Sequence, residues 1–545
     1  MKHRLPILLL VLCVAFASCA DIFDSSSSSM VSENGNTLSQ ASDSVYSVVG
    51  ILSKLQKVAD KVVLFGEVRA DLCVENDYTS EQLRELLQSD FSAGNPLTSY
   101  REYYSVINNC NYYLAHADTS VLVSNQKVLL KEYAVVKAIR AWTYLQLALT
   151  YGEVPFYTKP ILKVSDAEES YPKKSLQDIV DYFIPDLEPY VDTEHPSYGP
   201  IYSISSDRFF FPVRLVLADL YLWRQDYASA ARLYAEYLAR HQLPTGSGTT
   251  SVSALNKSDE VRSLTYWTAF TSPNVDENIT LIPMAETKLE GTKSNLSNIF
   301  SSTDENDEHF EITPSTRYQE LCAAQDYAYA VDAKTLKHLT CGDLRYYVNY
   351  PSRFVSADVR NAKSTLFDEE ERLVQSKYQG GNVFVYRVGT VWLRYAECVN
   401  RLGDSRTAFD VLKKGGMMTL VDDVPVFEVS ENTEAVNLGI HARGCGAAFR
   451  NAMYEFPDTA DTAVAEQFPQ ERLTEYVEDL ILDEMALETA FEGHRFYDLM
   501  RVATRRSNPA YLADKVAHRD GDKAAADEAL YTRLLEPANW YVPHE

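Results

Sequence analysis

Hydrophobic and polar residues follow a helical period along most of the first 240 residues. The clearest segment covers residues 128–151, where apolar or small residues recur every three or four positions along two stripes. A helix with two apolar stripes must be packed on both sides. Gly152 and Pro155 follow the segment and predict where this helix ends.

Two later segments predict helical hairpins. Residues 211–240 contain the pattern A-x-x-Y-L-W-R-Q-D-Y-x-x-A, which is typical of a tetratricopeptide repeat, and residues 393–413 supply a similar half-unit. Such hairpins bury their apolar faces only against neighbouring hairpins. We therefore predict a mostly α fold in which tetratricopeptide-like hairpins form a right-handed superhelix.

The helical pattern breaks down over about residues 241–385 and 415–470. These stretches hold Gly, Ser and Thr runs with short strand-like pieces such as residues 278–283. Long irregular segments inside a compact protein are usually functional loops or disordered segments. We predict that both are loop-rich insertions shaping a ligand site, within a single α-helical domain over residues 39–545.

The N-terminus has the order of an export signal. Lys2 and Arg4 precede an apolar run over residues 7–16, which is shorter than the roughly 20 residues of a membrane-spanning helix. Small residues then lead directly into Cys19, as in a lipoprotein signal whose cysteine is acylated. Ordinary secretion with cleavage near the same place is the alternative.

We accordingly predict a lipoprotein signal peptide over residues 1–18 and lipidation of Cys19. Residues 19–38 include a polar tract with the serine run 25–29, which has nothing to pack and predicts a flexible tether between the lipid and the domain. No later segment is long and apolar enough to cross a membrane.

Composition limits the possible partners and cofactors. The formal net charge of −26 argues against nucleic acid or an anionic lipid surface as a partner. The 36 Tyr, 22 Phe and 5 Trp suit either a large core or surfaces that stack on sugars. The cysteines are widely spaced, without a C-x-x-C motif, so they indicate no zinc ribbon or redox motif and no particular disulfide. We predict no metal site and no cofactor.

The strongest candidate for catalysis is the series Glu484, Glu488 and Glu492 with Arg495. A glycoside hydrolase needs two carboxyl groups that flank a bond, roughly 5–9.5 Å apart. Carboxylates on successive turns of one helix point the same way. We interpret the series as ion pairing with Arg495, Arg501 or arginines of a neighbouring helix, and predict a protein that is not an enzyme.

Residues 304–308, D-E-N-D-E, superficially resemble a calcium loop. The sixth and twelfth loop positions should hold Gly and Glu, but His309 and Ser315 stand there. The segment therefore predicts a solvated acidic loop. The chain also lacks H-E-x-x-H, G-x-x-x-x-G-K and G-x-S-x-G motifs, so no nucleophile or phosphate loop is indicated.

Aromatic residues near polar ones are the candidates for ligand binding. A flat ring can cover the apolar face of a pyranose while Asn or Asp side chains bind its hydroxyl groups. Trp142 and Trp223 lie inside predicted hairpins and are interpreted as core. The candidates outside the predicted helix cores are Asn76, Asp77, Tyr78, Tyr100, Tyr266 and Trp267. Core packing is the alternative for each ring.

Four segments, in order along the chain, resemble the SusD-like (RagB-like) family. They are S-Y-R-E-Y-Y-S-V-I-N-N-C-N from Ser99, A-I-R-A-W-T-Y-L-Q-L-A-L-T-Y-G-E-V-P from Ala138, V-W-L-R-Y-A-E-C-V-N-R-L-G from Val391, and I-L-D-E-M-A-L-E-T-A-F-E-G-H-R-F-Y-D-L-M-R from Ile481. Met485 stands where the family usually has Arg, and Tyr100 where Trp is common.

The resemblance implies a nutrient-binding lipoprotein, anchored by lipid to the outer membrane and exposed at the cell surface. It implies a SusC-like TonB-dependent transporter as partner, over which the protein sits as a lid. Most relatives bind oligosaccharides and some bind peptides, so both ligands stay open. A glycoside hydrolase and a helical scaffold that binds only proteins are the remaining alternatives.

Overall fold

Helices make up most of the regular structure of the chain, as predicted. The computed structural model describes residues 38, 41–123, 125–246, 252–254, 261–285, 291–300, 309–325, 327–330, 336–338, 342–343, 345–346, 377–378, 380–430, 439–444, 449–451, 454–521 and 524–543. The predicted signal peptide, Cys19, nearly all of the tether and the acidic segment 304–308 lie outside the described residues.

The α-helices are α1 (Ala41–Glu67), α2 (Glu81–Gln88), α3 (Arg101–His116), α4 (Leu130–Tyr151), α5 (Val164–Ala167), α6 (Leu176–Leu187), α7 (Val213–Trp223), α8 (Tyr227–Arg240), α9 (Thr265–Thr271), α10 (Leu296–Phe300), α11 (Thr316–Ala324), α12 (Val388–Arg401), α13 (Ser405–Lys413), α14 (Thr462–Gln467), α15 (Gln470–Glu488), α16 (Arg495–Arg505), α17 (Pro509–Ala517) and α18 (Glu528–Leu534). Within the described ranges, none of these helices has the length and apolar character needed to cross a membrane.

The strands are short and antiparallel. They are β1 (Cys73–Glu75), β2 (Leu122–Val123), β3 (Gln126–Lys127), β4 (Val154–Pro155), β5 (Lys173–Lys174), β6 (Pro200–Ile201), β7 (Ile204–Ser205), β8 (Val252–Ala254), β9 (Val261–Leu264), β10 (Asn278–Ile282), β11 (Ile312–Pro314), β12 (Tyr327–Ala330), β13 (Leu336–His338), β14 (Val383–Arg387), β15 (Gly416–Val421), β16 (Val424–Val429) and β17 (Phe449–Asn451).

The helices pack in a continuous array in which each helix contacts its neighbours in the array. The order of contact is α1, α3, α4, α6, α7, α8, α12 and then α13 and α15, with α16 and α17 following α15. Helix α4 also contacts α1 and α7 and is buried along nearly its whole length. The prediction that this helix is packed on two sides is therefore confirmed.

The two predicted hairpins, α7–α8 and α12–α13, have the same turn geometry. Asp226 and Asp404 each cap the second helix by accepting a backbone N–H bond three residues on. The residue before each aspartate has a left-handed backbone conformation, with φ 65° at Gln225 and 93° at Gly403. This shared turn explains why R-Q-D and L-G-D occupy equivalent positions in the two repeats.

The two irregular stretches contain more regular structure than loops alone. Strands β10 and β14, which bracket most of the first stretch, pair with each other and are buried at every position. Strand β12 from the first stretch pairs with β17 from the second. The two insertions therefore meet in one sheet, although helices α12 and α13 separate them in sequence.

Candidate functional site

An exposed aromatic surface lies at the end of strand β1. We call it the Tyr78 surface and define it by Asn76, Asp77, Tyr78 and His309. Strand β1 pairs with β11, with Glu75 opposite Ile312, so the loop after β1 lies beside the segment that leads into β11. The backbone pairing brings together residues that are more than 230 positions apart in sequence.

The Tyr78 ring is supported on one face and open to solvent. It stacks on the His309 ring with the centroids 4.0 Å apart and the planes 9° apart. The residue as a whole is still 55% exposed. Tyr78 is therefore accessible to a ligand from the solvent side.

Hydrogen bonds fix the loop that carries this ring. The Asn76 Oδ1 accepts the Tyr78 N–H at 2.8 Å, and Asn76 Nδ2 donates to the Phe310 carbonyl at 2.9 Å. Thr79 accepts the Asn76 N–H at 2.8 Å and donates to the Glu311 carbonyl. Asn76 thus positions the turn, while the exposed Asp77 is the polar group at the surface.

Tyr100 and Tyr266 do not join this surface. Tyr100, the residue before α3, is half-buried and meets the edges of Tyr104 and Tyr151 at centroid distances of 5.3 and 5.8 Å. Trp267 lies in helix α9, and its side chain is outside the described residues.

Tyr266 lies in the core and not on a ligand surface. Its side chain is 0% exposed, and its hydroxyl donates at 2.6 Å to the Glu488 carbonyl. That carbonyl belongs to the last turn of α15, where helices leave carbonyl groups without a partner in the helix. Completing the end of α15 therefore accounts for the buried position of Tyr266, and in this position its ring presents no face to solvent.

The series Glu484, Glu488 and Glu492 is enclosed in a network of buried charges. Glu484 pairs with Arg345 at 2.7 Å and with His441 at 2.5 Å. Glu488 lies within 3.0 Å of a guanidinium nitrogen of each of three arginines, namely Arg345, Arg387 and Arg443. Glu492 pairs with Arg387 and Lys377, each at 2.7 Å.

The electrostatics of this network oppose general acid catalysis. Burial alone would raise the pKa of each carboxyl, but the surrounding cations hold the pKa of Glu484 and of Glu492 at about 2. Arg443 and Arg387 likewise lower the pKa of the buried Glu488. Because the three carboxylates are ionised, paired and shielded from solvent, none of them can donate a proton to a sugar.

The interpretation of this series as ion pairing is confirmed, but two details are wrong. The series does not lie on one helix, because α15 ends at Glu488, Glu492 lies in the turn that follows and Arg495 begins α16. The ion-pair partners also differ from the predicted ones. Arg495 does not pair with the series and instead binds Asp71 at 2.7 and 2.8 Å. Arg501 binds Glu397 and Asp498. The arginines that contact the series come from the irregular stretches and from strand β14, which helical periodicity does not reveal.

A groove of about 1230 Å³ lies between α7, α8 and strand β15. Its lining includes Arg214, whose charge is balanced by Asp192 and Glu236. The tyrosine in its lining, Tyr237, is only 7% exposed and stacks on His241. The groove therefore offers a ligand little open aromatic surface, in contrast to the Tyr78 surface.

Comparison with known families and structures agrees with the predicted resemblance. The model of the SusD family matches residues 454–542. This segment contains α15 and α16, and so includes the fourth motif. A comparison with curated protein sequences finds no match.

Several solved structures share the fold. A SusD superfamily protein from Bacteroides thetaiotaomicron is 16% identical with a TM-score of 0.56, over 92% of this chain and 95% of its own. One from Bacteroides vulgatus is 14% identical with a TM-score of 0.58, over 90% and 92%. Another Bacteroides vulgatus protein, which is described by name as a sugar-binding protein, is 16% identical with a TM-score of 0.55, over 86% of this chain and 88% of its own. The match of residues 454–542 to the SusD family model and the fold shared with SusD superfamily structures together confirm the predicted resemblance to SusD/RagB-like proteins.

Proposed function

We propose that this chain is a nutrient-binding protein that captures oligosaccharides at the Tyr78 surface without cleaving them. The observation that carries the proposal is the geometry of Tyr78, a residue that is 55% exposed and whose ring stacks on His309. A ring held in place before binding loses little freedom when a pyranose stacks on it. The Bacteroides vulgatus relative whose name proposes sugar binding supports the ligand class.

The burial of the candidate carboxylates supports binding without turnover. Glycosidases need an accessible pair of carboxyl groups on either side of the bond. The strongest candidates in the sequence, Glu484 and Glu488, are both 0% exposed and bound to cations. The protein therefore acts by binding, and a glycoside hydrolase is the less favoured alternative.

The cellular setting of the proposal comes from the sequence. The signal over residues 1–18 and the cysteine at position 19 support a lipid anchor in the outer membrane, with the domain at the cell surface. The SusD-like fold supports a SusC-like TonB-dependent transporter as the partner that receives the ligand. In this setting, the protein concentrates oligosaccharides at the mouth of the transporter.

The experiment is a binding screen followed by Tyr78→Ala. The chain without its signal is screened against oligosaccharides and against peptide mixtures. For the oligosaccharide that binds best, Tyr78→Ala should weaken binding by about 1–3 kcal/mol, which is roughly 5- to 150-fold in Kd. Tyr202→Ala is the matched control, because that tyrosine is 92% exposed and lies outside the Tyr78 surface.

Two results would contradict the proposal. Unchanged affinity in Tyr78→Ala, with the control also unchanged, would remove this ring from the ligand site. Binding of peptides but of no oligosaccharide would favour the peptide alternative.

A further inference from the structure

A second groove, of about 850 Å³, lies beside the end of helix α4. We call it the C-terminal groove and define it by Asp90, Phe91, Gly152, Arg533 and Tyr541, which are among the residues that line it. It is formed where the last residues of the chain pack against the end of α4 and against the segment that follows α2. The sequence candidates for ligand binding do not include any of these residues.

Two half-buried aromatic rings line this groove. Tyr541 lies directly on the backbone of Gly152. A Cβ atom added at that glycine would be only 3.1 Å from the ring. Gly152 has φ 75°, so both its conformation and its missing side chain are needed at this contact. Phe91 is backed by the guanidinium of Arg69, 5.8 Å from its ring centroid.

The residues next to Tyr541 hold it in place from both sides. The carbonyl of Trp540 accepts a hydrogen bond from Arg69 Nη2 at 2.8 Å, and the N–H of Val542 donates to the Thr150 carbonyl at 2.8 Å. Trp540 and Val542 are both buried. The Tyr541 ring is therefore positioned before any ligand arrives, which lowers the entropic cost of binding.

The polar rim of the groove is balanced in charge. Arg533 Nη2 pairs with Asp90 Oδ2 at 2.8 Å, and Arg533 Nη1 donates to the Gln88 carbonyl at 2.5 Å. Asn539 adds an exposed amide that donates to the Arg533 carbonyl at 2.9 Å. Such a rim offers hydrogen-bond donors and acceptors without a net charge, which suits a neutral ligand rich in hydroxyl groups.

We infer that the C-terminal groove is a second carbohydrate-binding site, in which neutral pyranose units stack on Phe91 and Tyr541. The inference rests on the proposed function, because it takes the same class of ligand. The C-terminal groove is separate from the Tyr78 surface. Tyr78 precedes helix α2 and Phe91 follows it, and the eight residues of α2 span about 12 Å.

The test uses the whole chain without its signal and a panel of neutral hexasaccharides: α-1,4-glucan, β-1,4-glucan, β-1,4-xylan and β-1,4-mannan. Calorimetric titration with the hexasaccharide that binds best should give two sites per chain. Phe91→Ala and Tyr541→Ala should each weaken one site by at least 10-fold and leave the other unchanged, whereas Tyr541→Phe should retain both.

Controls separate the loss of a site from the loss of the fold. Tyr46→Ala, at an exposed tyrosine on α1, should keep both sites. Phe91→Ala tests the groove independently of Tyr541, and the thermal unfolding of each variant is compared with that of the unaltered chain.

A single site that Tyr78→Ala abolishes and that Phe91→Ala and Tyr541→Ala leave unchanged would overturn this inference alone. Failure of every hexasaccharide to bind would overturn both the inference and the proposed function.

Discussion

Replacing Glu488 by Gln removes a buried charge and keeps the shape of the side chain. Glu488 is 0% exposed and contacts Arg345, Arg387 and Arg443 at 2.9, 3.0 and 2.8 Å. The amide of Gln has only one oxygen that can accept hydrogen bonds from the arginines. Its NH2 group can only donate and would face a guanidinium. The three arginines would then remain buried with one counter-charge fewer.

The expected cost is that of breaking a buried ion pair by removing one partner, about 3–5 kcal/mol. Unfolding entropy is about 2.1 cal/mol/K per residue, so a chain of roughly 500 residues has about 1 kcal/mol/K. The melting temperature should therefore fall by about 3–5 °C. The matched control is Glu471→Gln on the same helix, where the side chain is exposed and the change should stay within about 0.5 kcal/mol.

The assay combines unfolding in denaturant with a measurement of reducing sugar released from a polysaccharide panel. We expect Glu488→Gln to lower the free energy of unfolding, and we expect neither the variant nor the unaltered chain to release sugar. A loss no larger than that of the control would refute the structural role of Glu488. Release of sugar by the unaltered chain, abolished in a folded Glu488→Gln variant, would favour the hydrolase alternative.

Three further predictions concern packing, pH and the anchor. Gly389→Ala would place a Cβ atom 2.6 Å from Glu488 Oε1, so the free energy of unfolding should fall by about 1–3 kcal/mol. A fall below about 0.5 kcal/mol would contradict this, because it would show that the side chains around Glu488 move aside at little cost. The pKa of Glu484 and of Glu492 is depressed to about 2 in the folded chain, so both groups stabilise the fold above the ordinary carboxyl pKa of about 4.3, and this contribution is lost as pH falls towards 2. The free energy of unfolding, measured with denaturant from pH 6 to 2, should show this loss. A free energy that does not change with pH would contradict it. Cys19→Ala should abolish the lipidated, membrane-bound form, and lipidated protein persisting in that variant would exclude Cys19 as the anchor.

The helices could be predicted because their information is local. The stripes of α4 and the hairpin pattern of α7–α8 depend on residues three or four positions apart. The shared turns at Gln225 and Gly403 show why even the hairpin joints are visible in the sequence.

The candidate site could be predicted only in part, because it depends on pairing between distant segments. Tyr78 and Asn76 are near each other in sequence, so local sequence indicates both, but the stacking partner His309 is brought to them by the pairing of β1 with β11. No periodicity relates these strands. The arginines around Glu488 and the burial of Tyr266 cannot be predicted from local spacing for the same reason. Both depend on contacts between residues that are more than 40 positions apart in sequence.

Equilibrium dialysis can show whether the protein captures an oligosaccharide reversibly and without cleaving it. The oligosaccharide that binds best is dialysed against the chain for several days, and the masses of the sugars in both compartments are measured. We expect an excess of sugar of unchanged chain length on the side of the protein, and a smaller excess with Tyr78→Ala. Equal concentrations in the two compartments, or shortened sugars, would contradict it.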